Sequence, residues 1–284
     1  LTELAILNTK EERFISDEDF GYFQALVFKL AGITLSNKKK DLLLTRLSSH
    51  LKNTQFERFS DYRHYLEGLP ESHDEWQSFI NLMTTNKTDF FREIRHFEYI
   101  EEVLIPKWIS AKKTEVKIWS AACSTGEEPY SLAMFLEEKL PVGMTYKIFA
   151  SDIDTNVLKR AQNAVYSMAK EIEIPEDIRK KSIQYGQGAI NEWFRIKPHL
   201  KSKITFQTFN LVDDQIPENE KFDLILCRNV MIYFSRAIVE KVAINLARSC
   251  TNEATLFIGH SESLQGTQTP WKVSTASVYS KNKR

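Results

Sequence analysis

The stretch Val116-Lys117-Ile118-Trp119-Ser120-Ala121-Ala122-Cys123-Ser124-Thr125-Gly126-Glu127-Glu128-Pro129-Tyr130-Ser131 decides the fold. Its first four residues have the β-branched and aromatic content of a strand. Small residues follow, and Pro129 then stands in the first turn of a helix, where its missing N–H is not needed. Downstream the alternation repeats. Strands are expected at residues 146–150, 204–209, 222–227 and 254–258, with helices near 127–140, 155–165 and 236–248. Such alternation specifies an α/β fold with a doubly wound, mostly parallel sheet. Two late segments, 271–275 and 277–281, are close enough together to form an antiparallel hairpin at the sheet edge. Residues 166–203 interrupt the pattern with helix signals, Gly186-Gln187-Gly188 and Trp193-Phe194-Arg195-Ile196, and are expected to form an inserted subdomain.

Upstream, residues 1–85 read as helices only. Ser16-Asp17-Glu18-Asp19 has the form of an N-cap with an acidic first turn, and Phe20, Phe23, Val27 and Leu30 follow at helical spacing before Gly32. After Ser36 and Asn37, Leu43, Leu44, Leu47 and Leu51 form an apolar stripe with Lys38, Lys39, Lys40, Arg46 and Lys52 around it. Tyr62, Tyr65 and Leu66 mark a shorter helix. Ser72-x-x-Glu75 predicts a capping box opening the stripe Trp76, Phe79, Ile80 and Met83. A further helix carrying Phe97, Ile100, Leu104 and Trp108 leads into Val116. The expected organisation is a helical domain over 1–85 and a sheet domain over 86–284, with the insertion at about 166–203.

Composition narrows the classes. With 42% hydrophobic and 27% charged residues over 284 positions, disordered and collagen-like readings fall away. No apolar run reaches the roughly 18 residues that span a bilayer. Residues 1–13 lack a signal-peptide pattern, so a cytoplasmic location without membrane insertion is expected. Cys123, Cys227 and Cys250 have no CxxC spacing, so neither a disulfide framework nor a metal site is expected. Thirty-eight basic residues balance thirty-eight acidic ones, which gives no global field for a nucleic acid.

Ligands of open parallel sheets sit beyond the carboxyl ends of the strands. The turn after Trp119 is not a GxGxxG, and a helix start bearing Glu127 and Glu128 repels phosphate, which leaves a cationic ligand as the better reading. The alternative is that both carboxylates only complement the helix dipole. Asp152, after the second strand, is placed to take the hydroxyls of a ribose, whereas Asp154-Thr155 reads as an N-cap. Asn210-Leu211 offers an amide and an apolar contact to a base edge, or simply a turn. Arg228-Asn229 follows a very apolar strand, where a charge is costly unless a carboxylate or ligand compensates it. In the segment Asn86-Lys87-Thr88-Asp89-Phe90-Phe91-Arg92-Glu93, Thr88 and Arg92 stand out.

Taken together, residues 86–93, 120–131 and 150–154, the string Cys227-Arg228-Asn229-Val230-Met231-Ile232-Tyr233-Phe234, and Gly259-His260-Ser261-Glu262-Ser263 closely resemble the CheR family of chemotaxis receptor methyltransferases. The resemblance implies a class I S-adenosylmethionine-dependent methyltransferase fold with a helical N-terminal domain that recognises the receptor, and a small β-subdomain. It implies methylation of glutamate side chains on the cytoplasmic domain of bacterial chemoreceptors, with S-adenosylhomocysteine as product. Asn86, Thr88, Arg92, Glu128, Asp152, Asn210, Leu211, Arg228 and Asn229 match family positions that contact the cofactor. Arg92 and Tyr233 are expected to orient the substrate carboxylate.

Two features of the resemblance concern partners. The segment containing Lys38, Lys39, Lys40 and Arg46 occupies the place of a basic helix facing the receptor, although positions 48–50 read Ser48-Ser49-His50 where some members are richly basic. The helical domain carries ten basic residues against thirteen acidic ones, a net charge of −3, so a solvated face is the competing reading. Gly186, Gly188 and Arg195 resemble a loop with which some members capture a tethering peptide at the receptor C-terminus, and Tyr185 stands where peptide-binding members have a basic residue. The competing functions are a nucleic-acid methyltransferase and a non-catalytic cofactor-binding sensor or scaffold.

Overall fold

The computed structural model describes residues 15–36, 39–216 and 220–282, and the chain divides into two compact units between Thr84 and Thr85. The first unit is helical. Ser16 caps α1 (Asp17–Ala31) by accepting the Asp19 N–H, and Gly32 ends the helix at φ 69°. There follow α2 (Lys40–Lys52), α3 (Phe59–Glu67) and α4 (Glu75–Met83). Phe23, Val27, Leu43, Leu47, Leu51, Tyr62, Leu66 and Phe79 share one core, so the stripes read from the sequence meet. The capping box expected at Ser72 does not form: α4 starts after Asp74 with no side-chain cap. The Glu75 carboxylate instead accepts the Tyr62 hydroxyl at 2.7 Å and lies 3.0 Å from His50 Nε2. A buried phenol needs a partner, and Glu75 supplies it.

The second unit opens with α5 (Ile94–Tyr99), a π-helical turn (Ile100–Leu104) and α6 (Ile105–Ser110). The wide turn comes just before Pro106, which has no N–H to continue the helical ladder. The chain then runs β1 (Glu115–Ala121), α7 (Glu127–Lys139), β2 (Thr145–Asp152) and α8 (Thr155–Asn163). The insertion holds β3 (Val165–Ser167), α9 (Glu176–Ser182), β4 (Ile183–Tyr185), β5 (Trp193–Ile196) and α10 (Pro198–Lys201). The main sheet resumes with β6 (Ile204–Thr208), β7 (Phe222–Cys227), α11 (Arg236–Arg248), β8 (Cys250–Ile258), β9 (Trp271–Thr275) and β10 (Val278–Lys281).

Seven strands order as β6-β2-β1-β7-β8-β10-β9, the first five parallel and the last two antiparallel. The expected edge hairpin is therefore present. β1 shows the period of two: Val116 and Ile118 enter one core with α5, α6 and α7, whereas Trp119 and Ala121 enter the other with α11. All six residues of β7 are buried, as suits a central strand covered on both faces. In the insertion, β3, β5 and β4 make a separate three-stranded antiparallel sheet.

Candidate functional site at the strand tips

Register sets the site. Ala121 at the end of β1 lies beside Ser151 of β2 and Cys227 of β7, Asp152 lies beside Thr208 of β6, and Cys227 lies beside Ile258 of β8. Ala122, Asp152, Thr208, Arg228 and Gly259 therefore form one row at the carboxyl ends of five strands. Backbone strain gathers at the same place. Ala122 (φ 69°), Ser124 (φ 50°) and Asn229 (φ 57°) follow the strands, and Phe91 (φ 51°) and Glu93 (φ 61°) precede α5. Each such residue costs about 1–3 kcal/mol and persists only where its surroundings over-determine it, typically at functional sites.

Arg228 is the centre of the polar network. Its buried guanidinium pairs through Nε with Glu93 Oε2 at 3.2 Å and through Nη1 with Glu128 Oε2 at 3.3 Å, and Nη2 donates to the Arg92 carbonyl. The compensation that the sequence demanded for this charge comes from the protein's own carboxylates. Ser120 Oγ donates to Glu128 at 2.6 Å, while Asn229 Nδ2 and the His260 N–H donate to Glu93 at 3.3 and 3.2 Å. Glu262 accepts the N–H groups of Asn229, Ile232 and Gly259. A Cβ on Gly259 would sit 2.8 Å from Glu262 Oε2 and against the Asn229 amide, so a side chain there would force this network to shift. Burial raises the Glu128 carboxyl above its ordinary range, with Arg228 and Ser120 opposing. Burial acts on Glu93 too, but Arg228, the His260 N–H and the neighbouring imidazoles outweigh it and hold that carboxyl low.

Asp152 is buried beside this network and accepts the N–H of Ser124 at 2.8 Å and of Asp154 at 3.0 Å. Burial pushes its carboxyl up to about 6 against the pull of those N–H groups. Asp154 caps α8, as its sequence context suggested, accepting from Asn156 and Val157. It also takes Asn86 Nδ2 at 2.7 Å, and Ser124 Oγ donates to the Asn86 carbonyl at 3.1 Å. Asn86 is thereby fixed against the tips of β1 and β2.

Other expected residues are spread more widely. Thr88 offers its carbonyl to Lys170 Nζ, which pairs with Glu127 at 2.8 Å, so Glu127 is neutralised by a lysine from the insertion. Arg92 is half-buried, with Nη1 donating to the Lys87 carbonyl at 3.2 Å. Asn210 closes a turn by accepting the Val212 N–H at 3.0 Å, and Leu211 is buried with Trp119 and Phe209. Tyr233 is half-buried in a 3-10 turn (Met231–Tyr233). Cys123 and Cys227 are fully enclosed and burial raises both thiols, which removes them as nucleophiles. Sequence reading passed over Ser120, Glu93 and Glu262. Glu93 had one signal, its place next to Arg92 at the end of a loaded linker.

The described residues expected to meet partners have their bonds outside this network. Lys38 falls outside the described residues. Lys39 precedes α2, Lys40 Nζ pairs with Asp17 at 2.7 Å, and Arg46 Nη1 donates to the Met83 carbonyl, all within the helical unit. A Cβ on Gly186 would collide with the Ile190 carbonyl, so the turn requires that glycine, whereas Gly188 has φ 60° and open space around it, a position where glycine is favoured. Arg195 holds Gln184 Oε1 across β4 and β5 through two bonds of 3.0 and 2.8 Å.

One arginine set between Glu93 and Glu128, with Asp152 close in the row, leaves more carboxylate than cation among the described residues of this network. That donor set fits a ligand carrying positive charge. The family model for the CheR methyltransferase SAM-binding domain matches residues 86–280, and that for its all-alpha domain matches residues 18–84. The chain belongs to the CheR methyltransferase family. A chemotaxis protein methyltransferase of Borreliella burgdorferi is 35% identical over 92% of this chain and 95% of its own length. Those of Escherichia coli and Salmonella typhimurium are each 34% identical over 98% of this chain, covering 96% and 95% of theirs. This CheR protein is an S-adenosylmethionine-dependent chemotaxis methyltransferase, and S-adenosylmethionine is its cofactor. Among the described residues, no helix is long and apolar enough to cross a membrane.

Proposed function

We propose that the protein methylates glutamate side chains on the cytoplasmic domain of bacterial chemoreceptors, giving glutamyl methyl esters. The observation that carries this reading is the buried carboxylate excess around Arg228 in a row of level strand tips. Bound S-adenosylmethionine supplies an electrophilic methyl group on a sulfonium. Asp152, buried and turned to the tip of β2, accepts the ribose hydroxyls. Glu128 faces the ammonium of the amino acid end, and Arg228 holds Glu128 in place. Asn86, Thr88 and Asn229 complete the polar wall, while Asn210 and Leu211 flank the adenine.

A glutamate carboxylate has an ordinary pKa of about 4.3, so the nucleophile is ionised at neutral pH and needs no general base. Arg92 and Tyr233 orient that carboxylate in line with the methyl group. Arg92 suits the role because its half-buried side chain is held, among the described residues, by a bond to the Lys87 carbonyl and retains guanidinium donors for a carboxylate. Water exclusion and alignment then supply the acceleration. The neutral charge balance disfavours a nucleic-acid substrate. Lys38, Lys39, Lys40 and Arg46 are assigned to the acidic receptor face. The β4 edge, with Tyr185, Ile190 and Trp193 exposed, Gly186 and Gly188 in its turn and Arg195 beside it, is assigned to a receptor C-terminal peptide added as a strand.

The test is incubation with methyl-labelled cofactor and receptor cytoplasmic fragments. Base-labile methyl release from the receptor is expected, since esters hydrolyse in alkali. Transfer to RNA instead, or no transfer, contradicts the assignment.

A further inference from the structure

Glu93, His96 and His260 each bring one ligand atom within 4.8 Å of the others, with His96 Nδ1 and His260 Nε2 both facing Glu93 Oε2. The His96 ring is 2% exposed and stacks on Phe257 with centroids 4.4 Å apart. Its Nε2 lies 3.0 Å from Ser277 Oγ, whose hydroxyl donates to the Ala276 carbonyl at 2.7 Å. With its proton on that carbonyl, the Ser277 oxygen accepts Nε2–H, which leaves Nδ1 as a bare lone pair. Nδ1 is buried without a hydrogen-bond partner and faces a carboxylate oxygen 3.4 Å away. Two acceptors facing each other at a buried nitrogen are unfavourable unless a cation lies between them.

Zinc bonds of about 2.0–2.2 Å in tetrahedral geometry space two ligand atoms roughly 3.4 Å apart, which is the separation observed. His260 Nε2 stands 4.0 Å from the same carboxylate oxygen, and its side chain is 51% exposed, so it can close on a cation. Nε2–H on Ser277 is the outer-shell bond that fixes the tautomer of a metal-ligating histidine. Access is provided by a recess of about 480 Å³ lined by His96, Tyr99, Glu102, His260 and Ser277. Arg228 occupies one lone pair of Glu93 Oε2 and leaves the other, and Glu128 remains to neutralise Arg228.

We propose that Glu93, His96 and His260 form a three-ligand site for a borderline divalent cation of the zinc class, with its fourth position open and Glu93 shared with Arg228. Two imidazoles and one carboxylate favour zinc over calcium or magnesium. The sequence hides such a site, because the ligands lie at positions 93, 96 and 260 with no cysteine among them.

The test is titration of untagged, chelator-treated, full-length protein with zinc chloride by calorimetry and with cobalt(II) chloride by visible absorption. One zinc per chain and four-coordinate cobalt bands are expected. His260→Ala, at a half-exposed position that leaves the core intact, should weaken zinc by at least about tenfold and remove the cobalt bands. Absence of saturable binding, or binding that His260→Ala leaves unweakened, overturns the proposal. Neither readout involves methyl transfer, so this site and the proposed activity can fail separately.

Discussion

Arg228 and Glu93, 135 residues apart in the chain, meet at 3.2 Å and tie the segment before α5 to the tip of β7. Removing the cation should therefore do more than empty a binding site. Arg228→Met leaves two buried carboxylates uncompensated, and breaking a buried pair in this way costs about 3–5 kcal/mol. Denaturant unfolding followed by tryptophan fluorescence checks this, and adding Glu93→Gln and Glu128→Gln to Arg228→Met should recover part of the loss.

Asp152 sets a pH dependence. Its folded carboxyl is pushed up to about 6, whereas an unfolded aspartate titrates near ~3.9. Between these values the folded state holds a proton that the unfolded state has lost. This group therefore lowers the stability of the cofactor-free protein as pH rises through that window, and its full cost is present above it. Ribose hydroxyls donating to Asp152 favour the ionised form, so cofactor affinity should rise with pH up to about 6 and then level off. Below that point it should fall by up to about tenfold per pH unit. Calorimetric titration with S-adenosylhomocysteine from about pH 5 to 8 measures it, and Asp152→Asn should bind weakly with a flat profile.

The strands were legible because their buried faces impose a period of two or a continuous apolar run, as in Val116–Trp119 and β7. Asp154 was legible as a cap because capping is local chemistry. The Ser72 box failed because Glu75 was drawn to Tyr62, a partner thirteen residues away that no local rule anticipates. For the same reason Glu93 and Glu262 escaped notice. Their partners are set by how the strand tips line up, and the positive φ of Glu93 and Asn229 leaves no glycine in the sequence to mark it.

Tyr233→Phe removes one hydroxyl and no ring. Transfer should slow by about tenfold, the rate equivalent of one hydrogen bond of ~1.4 kcal/mol, with cofactor affinity unchanged. Steady-state kinetics on receptor fragments decides it: a loss as complete as that of Asp152→Ala would oppose an orienting role.

Gly126 has φ 94°, and a Cβ there would lie 2.9 Å from Ala161 Cβ. Gly126→Ala should cost about 1–3 kcal/mol through strained backbone and the contact with α8. Thermal unfolding reads the stability, and cofactor titration shows whether the turn after β1 has moved.

The most direct measurement is a crystal structure of the full chain with S-adenosylhomocysteine. The expected result is a ribose within hydrogen-bond distance of Asp152 and an ammonium beside Glu128, with Arg228 still seated between Glu93 and Glu128. Ligand density away from the tips of β1, β2 and β7 would contradict the assignment of this carboxylate row as the cofactor site.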